Sequence, residues 1–407
     1  MVNSVLAGIS ECVDINSLGK YSVKPFDLNT ELGKKIKSKR MRPWRWSTSV
    51  SCVPQKQIHS FAPIQKPSLG DLALVQVLTV GAHTLIEEAT GSRLSIFPGT
   101  VFVGAFSNRY APDEYEGIVP EVLDASLEVD LISIGGTLGQ VESKNSQTAE
   151  PTRCRVLSFL SDKDGRVANT QNFGLAPPPS RKKVNPRLII VTGTSMNSGK
   201  SNSAKAIIYA LTAAGETVVA GKVTGTAAKK DVLLMKTAGA IDVCDFVDFG
   251  YPSTYMLKKK EILDLFWNLY DYLSSRSETD GYIVLEIADG ILQQEVEFLL
   301  GDPDVQAAAS HFVFSCSDSI SAISGVEYLK KTFGIEVSAI SGPCANSPLN
   351  LREVRRFLTE LPAFNNMEIN VATIAQIFTS AKIQTQEKIE ARAEDVELQP
   401  ENVPPEL

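Results

Sequence analysis

The sequence predicts an α/β protein, a parallel sheet flanked by helices and preceded by a smaller β-rich domain. Three observations carry this. From about residue 187, short apolar runs alternate with segments of helical spacing, the pattern of buried parallel strands and their crossover helices. Between about residues 70 and 171, the runs are short, β-branched and broken by Gly, Asp and Pro. Between the two lies "NFGLAPPPSRKKVNP", Asn172 to Pro186, whose three consecutive prolines cannot continue a sheet. A chain of 407 residues is also too long for one ordinary domain.

The expected divisions are an irregular basic segment (1–65), a β-rich domain (66–171), a Pro-rich linker (172–186), a second domain (187–382) and an acidic tail (383–407). In the first, "KKIKSKRMRPWRW" holds seven basic residues and two tryptophans. It reads either as a patch gripping an anionic partner with Trp44 and Trp46 as stacking faces, or as a solvated segment whose tryptophans pack on the next domain. "LALVQVLTV", "HTLIEEA", "RLSIFPG" and "VFVGAF" follow as strands of a small antiparallel sheet or barrel. "RCRVLSFLSDKDGRVAN" is a hairpin turning at Asp162 to Gly165.

After the linker, "RLIIVTG" is a buried strand and "KSNSAKAIIYALTAAGE" a helix ending at a glycine. "TVVAGKVTG" is a strand, "KDVLLMKTAGA" a helix and "VCDFVDFG" a strand with its loop. "KKKEILDLFWNLYDYLSSR" has the spacing of a long amphipathic helix, and "YIVLEIA" that of an apolar strand. "HFVFSCS", the helical "SAISGVEYLKKTFG" and "IEVSAISG" form another βαβ unit. "NLREVRRFLTEL" is a helix before a short "INVAT". The acidic, proline-bearing tail reads as disordered, with an exposed helical piece compatible.

Bulk properties exclude several classes. No apolar run approaches the roughly 18 residues that span a bilayer, and the amino terminus lacks a signal-peptide pattern. Six cysteines without a C-x-x-C pair fit reduced thiols, and the expectation is a cytoplasmic protein. Three histidines leave little for His-based metal binding, and His311, beside "FVFSC", reads as packed structure. A net charge of −7 argues against general nucleic-acid binding.

The chemistry-bearing motif is "GTSMNSGKS": Gly193, Thr194, Ser195, Met196, Asn197, Ser198, Gly199, Lys200 and Ser201. It follows an apolar strand and opens a helix, the context of a phosphate-binding loop. The glycines let the backbone curl so that its N–H groups face phosphate oxygens, and the helix adds its positive end. Lys200 reaches terminal phosphates and the Ser201 hydroxyl is placed for Mg²⁺. The common pattern, G-x-x-x-x-G-K-[ST], would put its first glycine at Thr194; here Gly193 supplies it, one residue early.

Such a loop needs an acid toward Mg²⁺. Glu286, inside the strand "YIVLEIADG", is costly to bury unless paired or metal-bound, though strand alternation also allows a solvated face. Asp289 is a second candidate, or a cap of the helix "ILQQEVEFLL". The segment "GKVTGTAAKKD" ends the strand taken to lie beside the phosphate-loop strand. Its Lys222, Thr224 and Gly225 are candidates to face a terminal phosphate or substrate anion, and Asp231 a further Mg²⁺ partner. Lys222 reads equally as a surface lysine.

With these residues, the second domain resembles the dethiobiotin synthetase-like P-loop NTPases. Their G-T-x-x-x-x-G-K-T loop is matched by "GTSMNSGKS", their lysine after the second strand by Lys222, and their strand-ending glutamate by Glu286. The resemblance implies a Mg²⁺ set of Ser201, Asp231 and Glu286. A nearer likeness is to a poorly characterised related family with runs like "FVDFGYPSTY" and "VLEIADGILQQE" after a β-rich domain, covering roughly residues 70 to 380. "IADGILQQE" departs from the synthetase's glycine-rich stretch, so its substrate pocket is not expected here. Thr194 follows Gly193, so the deviant loop lysine of partitioning ATPases, and a dimerisation switch built on it, is not expected. By the same resemblance Asn346 in "SGPCANSPLN" is a base-recognition candidate. Ser253 and Thr254 in "DFGYPSTY" are substrate-side candidates, beside the alternative that they form a proline-turned connection.

The expectation is a Mg²⁺-ATP-dependent ligase or kinase acting on a small carboxylate-type substrate, with Lys200 and Lys222 as catalytic candidates. The β-rich domain would help close the site, with Arg109 and Asp113 as candidates. The alternative is a nucleotide-dependent binding or cofactor-assembly module with slow hydrolysis. The guanine signature N-K-x-D is missing from the sequence, which favours ATP. A homo-oligomer is compatible with either.

Overall fold

The computed structural model describes residues 44–176 and 186–379. The basic segment up to residue 43, residues 177–185 of the linker and the acidic tail lie outside them.

Among the described residues the amino-terminal region holds eleven strands: β1 (Arg45–Trp46), β2 (Ser60–Ala62), β3 (Leu72–Thr79), β4 (Leu85–Glu87), β5 (Arg93–Ser95), β6 (Val101–Phe106), β7 (Arg109–Tyr110), β8 (Tyr115–Ile118), β9 (Glu128–Leu131), β10 (Thr137–Lys144) and β11 (Thr152–Ser161). Nine of them join in the order β1-β6-β3-β11-β9-β10-β8-β7, with β2 on β11 and β4-β5 a separate pair. A further pairing of β10 with β6 closes the ladder β6-β3-β11-β9-β10 on itself, which leaves those five strands without an open edge. The expected sheet or barrel is thus a larger, mixed one. Its closing pair is parallel, as is β1 with β6, which closely spaced strands alone would not suggest.

Strand alternation builds the two apolar layers of this region. Ala73, Val75 and Val77 of β3 enter one cluster with Phe102, Phe106 and Phe159, while Leu72 and Leu74 face the other with Val103 and Leu160. Trp44 meets Phe61 edge-on at 5.4 Å, and both Trp44 and Trp46 pack on the second cluster, so they are packing residues. The hairpin turns as expected, Asp162 N donating to Arg166 O at 3.0 Å.

The carboxyl-terminal region is a six-stranded parallel sheet flanked by helices. Its strands are β12 (Arg187–Gly193), β13 (Val218–Lys222), β14 (Val243–Asp245), β15 (Tyr282–Glu286), β16 (Ala309–Ser315) and β17 (Ala339–Ser341). The order is β14-β13-β15-β12-β16-β17. Leu188 and Ile190 of β12 pack on one face and Ile189 and Val191 on the other, so each face carries its own core. This double burial explains why the strands read as continuous apolar runs. The principal helices are Lys200–Ala213, Lys229–Thr237, Lys259–Arg276 and Ser319–Phe333.

Three details differ from expectation. β15 lies between β12 and β13, so the strand ending at Lys222 is not the neighbour of the phosphate-loop strand. The helix after Asp289 starts only at Gln294, and Asp289 N donates to Gln293 Oε1, so Asp289 is not its cap. "INVAT" runs into a helix over residues 371–379, its Asn370 side chain accepting from Thr373 N at 3.0 Å. No helix among the described residues is long and apolar enough to cross a membrane.

Candidate functional site

The loop Gly193–Ser201 joins β12 to the helix Lys200–Ala213. Gly193 must be glycine because a Cβ there would lie 2.4 Å from Ser198 Oγ and 2.6 Å from Ser315 O. Gly199, at φ 95°, caps the helix in the left-handed region and sits against Gly342. The turn is further held by Ser203 and Asn366. Ser203 Oγ donates to Gly199 O at 3.0 Å, while Asn366 Nδ2 reaches Ser203 Oγ at 3.0 Å and Gly199 O at 3.3 Å.

Lys200 is only 5% exposed, its Nζ donating to Ser195 O at 2.7 Å and lying 3.4 Å from Ser198 Oγ. The ammonium is therefore folded back over the loop it would share with a phosphate. Burial lowers its pKa below the ordinary lysine value, and Glu286 opposes that shift.

The sheet order brings the remaining charges together. In the ladder Glu286 of β15 is level with Val191 of β12 on one side and Lys222 of β13 on the other. Its Oε1 accepts from Ser201 Oγ at 3.1 Å and lies 3.4 Å from Lys222 Nζ. Lys222 also pairs with Asp231, from the first turn of the helix Lys229–Thr237. Burial works against the charge on Lys222, but Asp231 and Glu286 outweigh it and raise its pKa. Burial likewise opposes ionisation of Asp231, yet Lys222 and the Ser201 hydroxyl hold its pKa below the ordinary value. Glu286, 1% exposed, is pushed upward by burial against the pull of Lys222.

These residues fit a divalent cation. Glu286 Oε2 is buried with no hydrogen-bond partner, an acceptor left over where a cation would stand beside the Ser201 hydroxyl. Among the described residues no three His, Cys, Asp or Glu side chains gather to hold a metal unaided. An ion here would take its other oxygens from phosphate and water, as Mg²⁺ commonly does.

Other predicted residues fall elsewhere. Thr224 is fully buried and its hydroxyl is bonded to the Ala288 backbone, so it does not face a phosphate. Gly225 N donates to Thr254 Oγ1 at 2.9 Å, Ser253 bridges Thr226, and both hydroxyl residues are buried; this is the proline-turned connection. Asn346 exchanges two 3.0 Å amide hydrogen bonds with Asn366, which engages its recognition edge. Arg109 is committed within the β-rich region, to Glu114 and to Ile132 O. Asp113, by contrast, does reach the loop: Asn197 Nδ2 donates to its Oδ2 at 2.7 Å, and Asn197 holds φ 63°.

Three contributors escaped the sequence reading. Asn366 holds the helix entry, and Glu87 of β4 accepts from the Lys229 amide, as described below. Ser203 bridges Asn366 to Ser315 Oγ, 2.9 Å away. No local pattern marks such pairs, since Asn197 and Asp113 stand 84 residues apart and Asn366 and Gly199 stand 167 apart.

A parallel sheet whose central strand runs through a Gly-Lys-Ser loop into a helix is a P-loop NTPase fold. No family model matches the sequence, and no curated protein matches it. Solved structures with some likeness include the signal recognition particle receptor FtsY from Elizabethkingia anophelis in complex with GDP. It is 11% identical, covering 51% of this chain and 68% of that one at a TM-score of 0.33. A second structure of the same receptor is 13% identical, covering 49% of this chain and 67% of that one at 0.33. The signal recognition particle 54 kDa protein from Aeropyrum pernix K1 in complex with GDP is 15% identical, covering 54% and 50% at 0.32. Likenesses this slight bear no weight, and the fold rests on the sheet and the loop themselves.

Proposed function

We propose that the chain binds a Mg²⁺-nucleoside triphosphate at Gly193–Ser201 and uses it as an ATP-dependent ligase or kinase of the dethiobiotin synthetase-like class, acting on a small carboxylate-type substrate. The supporting observation is the single network Ser201–Glu286–Lys222–Asp231 beside the buried Lys200, with Glu286 Oε2 unpartnered.

On this reading Lys200 leaves Ser195 O for the terminal phosphates, and loop amides with the helix terminus hold the remaining oxygens. Ser201, Glu286 and Asp231 would hold the cation, Asp231 also fixes Lys222, and Lys222 would face the transferred group. The cation, when bound, neutralises phosphate charge. The residues' contribution is placement and charge set in advance in a largely dry site. Asp113 brings the β-rich region to the edge of the loop, where a substrate would enter.

Calorimetry with Mg²⁺ tests this, comparing ATP with GTP on the native chain and on Lys200→Ala. Loss of charge-assisted contacts to phosphate is expected to weaken ATP binding on the order of 100-fold. Phosphate release would then be screened for stimulation by small carboxylates. A clear GTP preference with no stimulation would favour the assembly-module reading, and no binding of either nucleotide would remove both.

A further inference from the structure

We propose that Glu87, in the β-rich region, is a positioning residue for the nucleotide site, because it caps the helix that carries Asp231. This rests on the nucleotide-binding reading above. The helix Lys229–Thr237 begins after Ala228, whose side chain has no acceptor for the orphan amides of the first turn. Glu87 Oε1 supplies one from another part of the chain, accepting from the Lys229 amide and from Thr48 Oγ1 at 3.1 Å. Arg93 Nε holds the other oxygen at 3.0 Å, and Glu87 is 1% exposed. The carboxylate is thus fixed before it meets the helix, and its charge faces the positive helix end.

Two residues after Lys229, Asp231 pairs with Lys222, which touches Glu286, which accepts from Ser201. Packing enforces the same docking. A Cβ on Gly135 would lie 1.9 Å from Ala227 O, and one on Gly91 would lie 2.7 Å from Leu233 Cδ1. The β-rich region therefore sets where the first turn, and so Asp231, stands relative to the sheet. An uncapped first turn would let Asp231 move and leave Lys222 drawn to Glu286, changing the acid offered to the cation without touching the loop that grips phosphate.

The test uses the full chain with Glu87→Ala and Glu87→Gln. Two quantities are read: hydrogen exchange of the peptide spanning residues 226–234 without nucleotide, and ATP affinity with Mg²⁺ against affinity with a chelator. Glu87→Ala is expected to speed that exchange about tenfold. It should weaken Mg²⁺-dependent affinity about tenfold, with the chelated affinity unchanged. Glu87→Gln keeps an oxygen acceptor and recovers most of both effects. Unchanged exchange in Glu87→Ala would overturn the cap. Faster exchange with intact Mg²⁺-dependent affinity would overturn the positioning role while leaving the nucleotide reading in place. A native chain that binds no Mg²⁺-ATP would remove the nucleotide reading and the positioning role together, while exchange still reports the cap.

Discussion

Replacing Lys222 with methionine keeps the length of the side chain and removes the cation that touches both Asp231 and Glu286. Its side chain is 13% exposed, Asp231's 15% and Glu286's 1%, so two carboxylates would be left facing each other away from water. Breaking such a buried pair from one side costs about 3–5 kcal/mol. Proton uptake sets a ceiling: protonating a carboxyl of ordinary pKa near ~4.3 at pH 7 costs about 4 kcal/mol, so Glu286 would rather protonate than pay more. The expected loss of stability is therefore about 3–4 kcal/mol at pH 7. Glu286 already has a raised pKa, and a group raised in the folded state binds protons there before the unfolded chain does. Its penalty is present above the folded pKa and fades as pH falls through it, so the gap to the native chain should shrink to about 1 kcal/mol near pH 5. The assay is urea unfolding at several pH values, followed by tryptophan fluorescence, to which Trp267, packed against the core of the second sheet, contributes beside Trp44 and Trp46. Adding Glu286→Gln to Lys222→Met should recover most of the loss. A gap under about 1 kcal/mol at pH 7, or one that does not narrow toward pH 5, would refute the assignment of these three side chains to one buried charge network.

Two further substitutions probe the rest of the molecule. Gly135→Ala puts a methyl group 1.9 Å from the Ala227 carbonyl oxygen, backbone that cannot rotate away. It is expected to cost about 1–3 kcal/mol or more in urea unfolding and to speed exchange in residues 226–234. His83 is 6% exposed; burial first, and Arg109 second, push its pKa down to about 4, against the pull of Glu114. Its contribution is full above the ordinary value near 6.5 and is lost as pH falls toward 4, at most about 3 kcal/mol. Asp245 runs the other way, raised to about 6 by burial, so it favours the folded state as pH falls through 6. Comparing the native chain with His83→Gln cancels Asp245 and should leave a shallower loss of stability between pH 6.5 and 4 in the variant.

What the sequence determined by itself is what contiguous backbone chemistry determines. The strand–loop–helix around Gly193–Ser201 could be read because glycine freedom, helix polarity and the Lys-Ser pair act within nine neighbouring residues. The apolar runs of the parallel strands were equally plain, since burial on both faces leaves no polar alternation. Glu286 stood out because a carboxylate in such a run needs a reason. The partners that supply the reason did not. Ser201 and Lys222 reach Glu286 only because β15 inserts between β12 and β13, and strand order is set by packing across the sheet. The substrate-side candidates part for the same cause. Arg109 and Thr254 turned inward to satisfy buried backbone and carboxylate groups, while Asp113 met Asn197 across 84 residues. The parallel closure of β10 on β6, and the Glu87 carboxylate over Lys229, likewise had no trace in spacing. Local motifs repeat the geometry of their own backbone, whereas these contacts exist only once two distant surfaces have been pressed together.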